Sequence, residues 1–376
     1  MKKTLLALSV AALAAGAGSA QAYNFHIDQT GTDVDFYGSL RVKWESTSNK
    51  TNYVNGDVTK EHINHAVDND NSRFGFKLKQ SLGGDFYALG RAEWRMRGDA
   101  PSQHDFDHVY TRQLYAGFGH KQFGELTYGN MTTITDEVTQ SDLANTYSLT
   151  DGLLETSARR VTQYVYNGDY GSNKVKFGAY YGGSSKRNIK NVDLKNNRKN
   201  TWGTGLIFDH EIDSIQNVTV AAGFTREISE NANKTAYYSN AYALGLAYNF
   251  VHTTYGLDFA HKDTKNKDGA GNKVKNNEVT AVIRQGLNED WNVYAMYSYK
   301  TEKTLPVGSA YSKSTDRQFL VGTEYYVYNQ GSLKVKPFLE WQATRTKYEN
   351  TFDKDSGKQL DRSRDFKTVI GLRAYW

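Results

Sequence analysis

The sequence predicts an all-β chain that closes into a transmembrane, antiparallel, up-and-down β-barrel of about sixteen strands. Three observations predict it: a two-residue alternation of apolar and polar residues that keeps returning, connections that alternate between tight turns and long polar segments, and an N-terminal leader of secretory type.

The leader comes first. Lys2 and Lys3 precede an apolar stretch that starts at Leu5, and small residues then run on to Ala20-Gln21-Ala22. Basic, apolar and A-x-A segments in that order read as a secretory signal peptide over residues 1–22, too short for a membrane span. The mature domain is then 23–376. It has no cysteine, which removes disulfide scaffolds, thiolate metal sites and a cysteine-linked lipid. Of the formal charge of +5, Lys2 and Lys3 supply two, so the mature chain is only mildly basic and no nucleic-acid partner is expected. No apolar run of about 18 residues follows the leader, which excludes a helical membrane protein. The mean hydropathy of −0.69 does not exclude a barrel, because half of its strand positions face water.

The first strand is "VDFYGSLRVKWE". Val34, Phe36, Gly38, Leu40, Val42 and Trp44 alternate with Asp35, Tyr37, Ser39, Arg41, Lys43 and Glu45, so one face is dry and the other wet. Phe74, Phe76 and Leu78 alternate with Arg73, Lys77 and Lys79, and Ala92, Trp94 and Met96 with Arg91, Glu93, Arg95 and Arg97. The pattern is weak near Arg112, Leu126 and Tyr164, then clear from Val175 to the final set Ile370, Leu372, Ala374 and Trp376.

Tight turns near Gly83, His120, Gly168, Leu287 and Tyr328 lie on one side of the meander. Long polar segments, roughly 46–71, 98–108, 130–158, 183–200, 227–238, 262–276, 300–316 and 346–363, lie on the other. A soluble sandwich also alternates, but these loops lack apolar residues to cover a second sheet, and no helical pattern covers a sheet face. Tyr and Trp gather at strand ends, as at a membrane headgroup belt. About 22 residues per strand leave roughly ten to cross the bilayer and the rest for a connection. Closure removes unpaired edges from lipid, and at sixteen strands the lumen stays aqueous. Pro337, which cannot donate to a ladder, implies a bulge or a place near the rim.

The order "VDFYGSLR", "NSRFGFK" at 71–77, "TRQLYAGF" at 111–118 and "FGELTYGN" at 123–130, followed by a long third loop and a terminal aromatic strand, resembles the general diffusion porins of Gram-negative outer membranes. The resemblance covers essentially the whole mature chain. It implies a homotrimer in outer-membrane lipid and lipopolysaccharide, with long loops extracellular, and short turns and termini periplasmic. It also implies a third loop folded into the lumen, where its acids face wall arginines across a constriction. Carried over residue by residue, the basic wall is Arg73 and Arg112, with a third arginine at Arg159 or Arg160, which spacing does not separate. A lysine found in some members is Ser39 here, and Arg41 and Lys43 on the same face replace it. The loop lacks the Pro-Glu-Phe-Gly-Gly turn of many members. Its candidate acids are Asp136, Glu137 and Asp142, then Asp151 and Glu155. Trp376 stands where the family has phenylalanine.

The function expected is a passive channel for small hydrophilic solutes and ions, sorted by a transverse field across a narrow water column. The alternatives are a substrate-specific channel, a barrel serving mainly as surface adhesin or receptor, and an outer-membrane enzyme. No G-x-S-x-G, Walker or H-E-x-x-H pattern is present, so neither catalysis nor a cofactor is expected. His62-x-x-His65 and His104-x-x-x-His108 lie in polar loops without a thiolate, and read as solvated histidines rather than a metal site.

Overall fold

The computed structural model describes residues 23–97, 106, 108–232, 234–267, 271–306 and 311–376. The signal-peptide expectation for 1–22, and His104, lie outside them. Among the described residues sixteen long strands form one antiparallel sheet: β1 Thr32–Tyr53, β2 Arg73–Gly83, β3 Phe86–Arg97, β4 His108–His120, β5 Gly124–Thr132, β6 Ser157–Tyr170, β7 Asn173–Gly182 and β8 Asp193–Asp213. They continue with β9 Gln216–Asn231, β10 Lys234–Phe250, β11 Thr253–Asn266, β12 Lys273–Gly286, β13 Trp291–Leu305, β14 Ser312–Tyr325, β15 Leu333–Glu349 and β16 Leu360–Tyr375. Each pairs with the next in sequence. The sheet closes on itself because β1 pairs with β2 through Thr32–Ser39 and with β16 through Ser39–Tyr53.

The alternation in the sequence becomes the two faces of this barrel. On β1, Leu40 and Trp44 point outward at 44% and 37% exposure, whereas Ser39 and Lys43 are buried inward. On β16, Ile370 and Leu372 face out and Val369 and Arg373 face in. An apolar outer surface of this extent on a single chain needs lipid around it.

The long-loop end differs from the sequence reading. Most of the segments expected as loops at 227–238, 262–276 and 300–316 are strand: β9 and β10 approach each other across a turn at Ala232, and β11, β12, β13 and β14 also extend into them. Residues 46–53 continue β1 and pair with Val58–Asn64 as a hairpin above the barrel. Beyond the bilayer both faces meet water, so the apolar period fades although the ladder hydrogen bonds continue. Pro337 lies near the short-turn start of β15, opposite Leu372 of β16. On its other side the pairing with β14 has ended at Phe338, opposite Glu324, so no ladder bond is lost there.

At the seam, the Gly38 N–H donates to the Trp376 carbonyl at 3.0 Å and the Trp376 N–H to the Gly38 carbonyl at 3.2 Å. A Cβ on Gly38 would stand 2.3 Å from Cζ2 of the Trp376 ring, so the terminal aromatic lies against the start of β1 because Gly38 leaves room for it.

Candidate functional site

The chain from Thr133 to Thr156, between β5 and β6, does not stand out from the rim. Its short 3-10 turn, Ile134–Glu137, and its apolar residues pack on inward-facing positions of the wall. Ile134, Val138 and Leu154 meet Tyr180, Ile207, Ala221 and Ala241, and Tyr147 and Leu149 meet Met296, Leu320, Phe338 and Val369. The segment therefore lies along the β7–β16 side of the lumen.

Glycines make its seat. Gly178 of β7, Gly205 of β8 and Gly223 of β9 stand directly opposite one another in register. A Cβ at Gly178 or Gly223 would come within 2.8 Å of Ile134 or Val138. At Gly245 of β10 and Gly256 of β11 it would be 2.1 Å from the Val138 carbonyl oxygen and 2.5 Å from that of Gln140. Real Cβ atoms do not approach so closely, so the loop backbone can lie here only against glycine.

Three buried wall carboxylates hold the loop by its backbone. Asp258 of β11 accepts from the N–H groups of Gln140 at 2.9 Å and Ser141 at 2.7 Å, and from the Ser141 hydroxyl at 2.5 Å. Glu278 of β12 accepts the Asp151 N–H at 2.9 Å. Glu340 of β15, fully buried, accepts from Asn145, from Thr146 at 3.0 Å and from Tyr147 at 3.1 Å. Each carboxylate receives donors that the loop has no regular structure to satisfy. Arg373 of β16 reaches the Asn145 carbonyl and lies 2.8 Å from Asp70, completing the clamp on the far side.

The opposite wall, β1 to β4, is basic. Arg73 of β2 stands in register with Arg95 of β3, and Arg41 of β1 with Arg373 of β16. Arg112 enters by a β-bulge on β4: Gln113 pairs with Glu93 and Thr111 with Trp94, so Arg112 is the extra residue. Its Nη1 lies 2.7 Å from Glu93 Oε1, while Arg91 Nη2 lies 2.8 Å from Glu93 Oε2 and the Tyr37 hydroxyl donates to that oxygen at 2.9 Å. Glu93 has no exposed surface. One buried carboxylate thus offsets part of the repulsion among Arg73, Arg91, Arg95 and Arg112 and fixes two of them.

The expected residues separate accordingly. Arg41, Arg73 and Arg112 come together on this wall. Lys43 is held 2.6 Å from Glu45. Arg159 and Arg160 lie elsewhere: a bulge between β5 and β6 puts Arg160 at a φ of +56°, and their guanidinium groups donate to the carbonyls of Asn188 and Ser184 beyond β7. Of the loop acids, Glu137 pairs with Lys176 at 2.5 Å, Asp151 with Lys300 and Glu155 with Lys262 at 3.4 Å, all lysines of the near wall. Asp136 and Asp142 remain exposed to the lumen. The surrounding barrel thins the water about them and raises both carboxyls above the usual range. Arg112 and Thr156 oppose this rise at Asp136, and Ser148 and Arg373 oppose it at Asp142.

Sequence reading did not single out Glu93, Arg373, Asp258, Glu278 or Glu340. The available signal was the same for each, an ionisable residue at an inward strand position, and it does not distinguish a charge bathed in pore water from one holding a loop.

A closed barrel with an apolar outer face and an ion-lined interior partly occupied by its own loop defines an outer-membrane channel. The model of the Gram-negative porin family matches residues 7–335, and the chain belongs to that family. It is 26% identical to the major outer membrane protein of Pasteurella multocida strain Pm70, over 90% of this chain and 92% of that one. A second Pasteurella multocida major outer membrane protein is 27% identical over the full length of both. Among solved structures it is similar to OmpT, an outer membrane protein of Vibrio cholerae, with a TM-score of 0.62 and 17% identity over 94% of this chain and 100% of that one. An anion-selective porin from Comamonas acidovorans aligns with a TM-score of 0.62 and 15% identity over 92% and 100%. At these identities the two likenesses show the fold.

Proposed function

We propose that this channel passes small hydrophilic solutes and ions by passive diffusion through a charged constriction between the third loop and the β1–β4 wall, without catalysis. One observation carries the reading: a loop pinned into the lumen at Asp258, Glu278 and Glu340 leaves Asp136 and Asp142 exposed, while the β1–β4 wall carries the cluster Arg73, Arg91, Arg95 and Arg112 around Glu93. The acidic side is then Asp136 and Asp142, with Glu137, Asp151 and Glu155 as anchors. The basic side is Arg41, Arg73, Arg91, Arg95 and Arg112, with Arg373 of β16 as a loop anchor. Opposed charges across a narrow, low-dielectric passage create a transverse field that a polar solute aligns with and a bulky apolar one does not. The excess of arginines over unpaired loop acids favours weak anion preference, in line with the anion-selective Comamonas acidovorans neighbour.

The working unit is a homotrimer, as described for one form of Vibrio cholerae OmpT, exported by the 1–22 leader and oriented with long loops outside and turns and termini in the periplasm. Planar-bilayer recording tests the reading. It expects ohmic steps in threes and a reversal potential of anion sign under a salt gradient. Saturable block by one solute would favour a specific channel, and absence of conductance would overturn both.

A further inference from the structure

At the short-turn mouth of the lumen, two acid–base pairs are set in register and left unmade. Asp35 of β1 stands directly opposite Lys77 of β2, and Asp33 opposite Lys79. All four share the inward parity of Ser39 and Arg73, which face each other on the same two strands. Opposite charges so placed attract. Yet Asp33 pairs instead with His26 at 2.8 Å, and among the described residues Asp35, Lys77 and Lys79 make no ion pair or side-chain hydrogen bond.

Two tyrosines hold the lysines away. The Tyr37 ring lies on Gly75 of β2 and the Tyr87 ring on Gly119 of β4, where an added Cβ would stand 2.8 Å from the Tyr37 hydroxyl oxygen and 2.2 Å from Tyr87 Cζ. Their hydroxyls fix them. That of Tyr37 donates to Glu93 at 2.9 Å and accepts from Arg91 Nε at 2.6 Å, and that of Tyr87 donates to Glu125 of β5 at 2.8 Å. Lys77 Nζ lies 5.2 Å from the Tyr37 ring centroid and Lys79 Nζ 4.1 Å from that of Tyr87, within reach of a cation–π contact. The ammonium groups thus rest on rigid rings and keep their donors for a ligand. Asp35, Lys77, Lys79, Leu89 and Tyr115 line a pocket of about 300 Å³ there, the size of a small-molecule site.

We propose that this pocket binds a zwitterionic α-amino acid with an apolar side chain, its ammonium on Asp35, its carboxylate on Lys77 and Lys79, and its side chain against Leu89 and Tyr115. The two charges of one such molecule supply the partners that the wall keeps apart on strands about 5 Å from each other. A simple anion would satisfy the lysines and be repelled by Asp35, and a simple cation the reverse. Lysines positioned before binding lower the ordering cost of association. The site rests on the channel reading for its part in transport, and deepens it by naming a class of solute.

The test uses the full mature protein in detergent with L-leucine as probe, beside leucinamide, which lacks the carboxylate, and 4-methylpentanoate, which lacks the ammonium. Binding is read by saturation-transfer NMR titration. L-leucine should bind saturably and more tightly than either analogue by on the order of tenfold, as loss of one charge-assisted bond gives. Lys77→Gln/Lys79→Gln should bind L-leucine no better than leucinamide, and Asp35→Asn no better than 4-methylpentanoate, a split in preference that misfolding does not produce. The control Lys186→Gln/Lys195→Gln, which removes exposed cations elsewhere, should keep the full preference. Equal binding of the three ligands by the unaltered protein, or a preference that survives in both pocket variants, would overturn the site. Planar-bilayer recording of the same preparation separates this failure from that of the channel reading. Conductance without leucine preference overturns the site and leaves the channel, whereas leucine preference without conductance supports the site and overturns the channel.

Discussion

Arg112 Nη1 meets Glu93 Oε1 at 2.7 Å although Glu93 has Gln113, not Arg112, as its cross-strand partner. The bulge that inserts Arg112 turns an arginine toward the lumen from a position that regular pleating would not give it. Gln113 gains by the same device, since its Oε1 accepts from the Thr132 hydroxyl at 3.2 Å, where the third loop leaves β5. The basic wall and the root of the loop are therefore set by one irregularity.

Glu93→Gln removes the carboxylate shared by Arg91 and Arg112. It is expected to cost about 1–3 kcal/mol through weakened buried charge-assisted bonds and to move the reversal potential further toward anions. Thermal denaturation in detergent and a bilayer salt gradient measure the two effects. No change in selectivity would place Glu93 outside the field of the passage.

Replacing Arg73 and Arg112 together by serine takes two positive charges from the wall while leaving the loop anchors intact. Relative cation permeability should rise, with a reversal-potential shift on the order of 10 mV against a ceiling of about 59 mV for a tenfold gradient. An unchanged potential would reject their place at the constriction.

Selectivity should depend on pH, with a sign given by the loop acids. Asp136 and Asp142 have carboxyls raised above the ordinary aspartate value because the surrounding barrel thins the water about them, so on acidification they take up protons before aspartates in open solvent. The acidic side weakens first and anion preference grows as pH falls toward that range. Stability follows the same direction: the contribution of these two groups is complete below the ordinary value and is lost as pH rises through their raised values. Asp136→Asn/Asp142→Asn should show the increased anion preference already at neutral pH and lose most of the acid-dependent change.

Glu340→Gln leaves one acceptor oxygen for the N–H groups of Asn145, Thr146 and Tyr147. A buried donor without a partner costs about 1–3 kcal/mol, so the far end of the loop should loosen. Larger and noisier single-channel currents with an intact barrel are the expected result. Gly245→Val should act at the near end for a different reason, because its Cβ would meet the Val138 carbonyl oxygen. If both variants conduct like the unaltered protein, the loop does not limit the pore.

The barrel itself was legible in the residue order. Alternation of two on each strand, the run of short turns against long connections, and the place of Pro337 all follow from local chemistry: what faces lipid must be apolar, and what faces water need not be. The same alternation puts Arg73 on the polar face of a regular strand, while its expected place at a constriction came from the resemblance. Arg112 could not be placed by periodicity, because a bulge changes parity, and the residues 227–238 read as loop because a strand in water on both faces carries no apolar period.

Tertiary structure decided which charges act as pairs and which stay open. Glu137 and Asp136 are adjacent in sequence, yet one is neutralised by Lys176 and the other stays exposed, because a 3-10 turn directs neighbouring side chains apart. Asp258, Glu278 and Glu340 look like lumen charges along the chain and become anchors only where the loop backbone descends on them. The sequence by itself determined a closed, lipid-facing sheet through a period of two. The path of one irregular segment across that sheet depends on contacts between residues as far apart as Asn145 and Arg373, which no local pattern records.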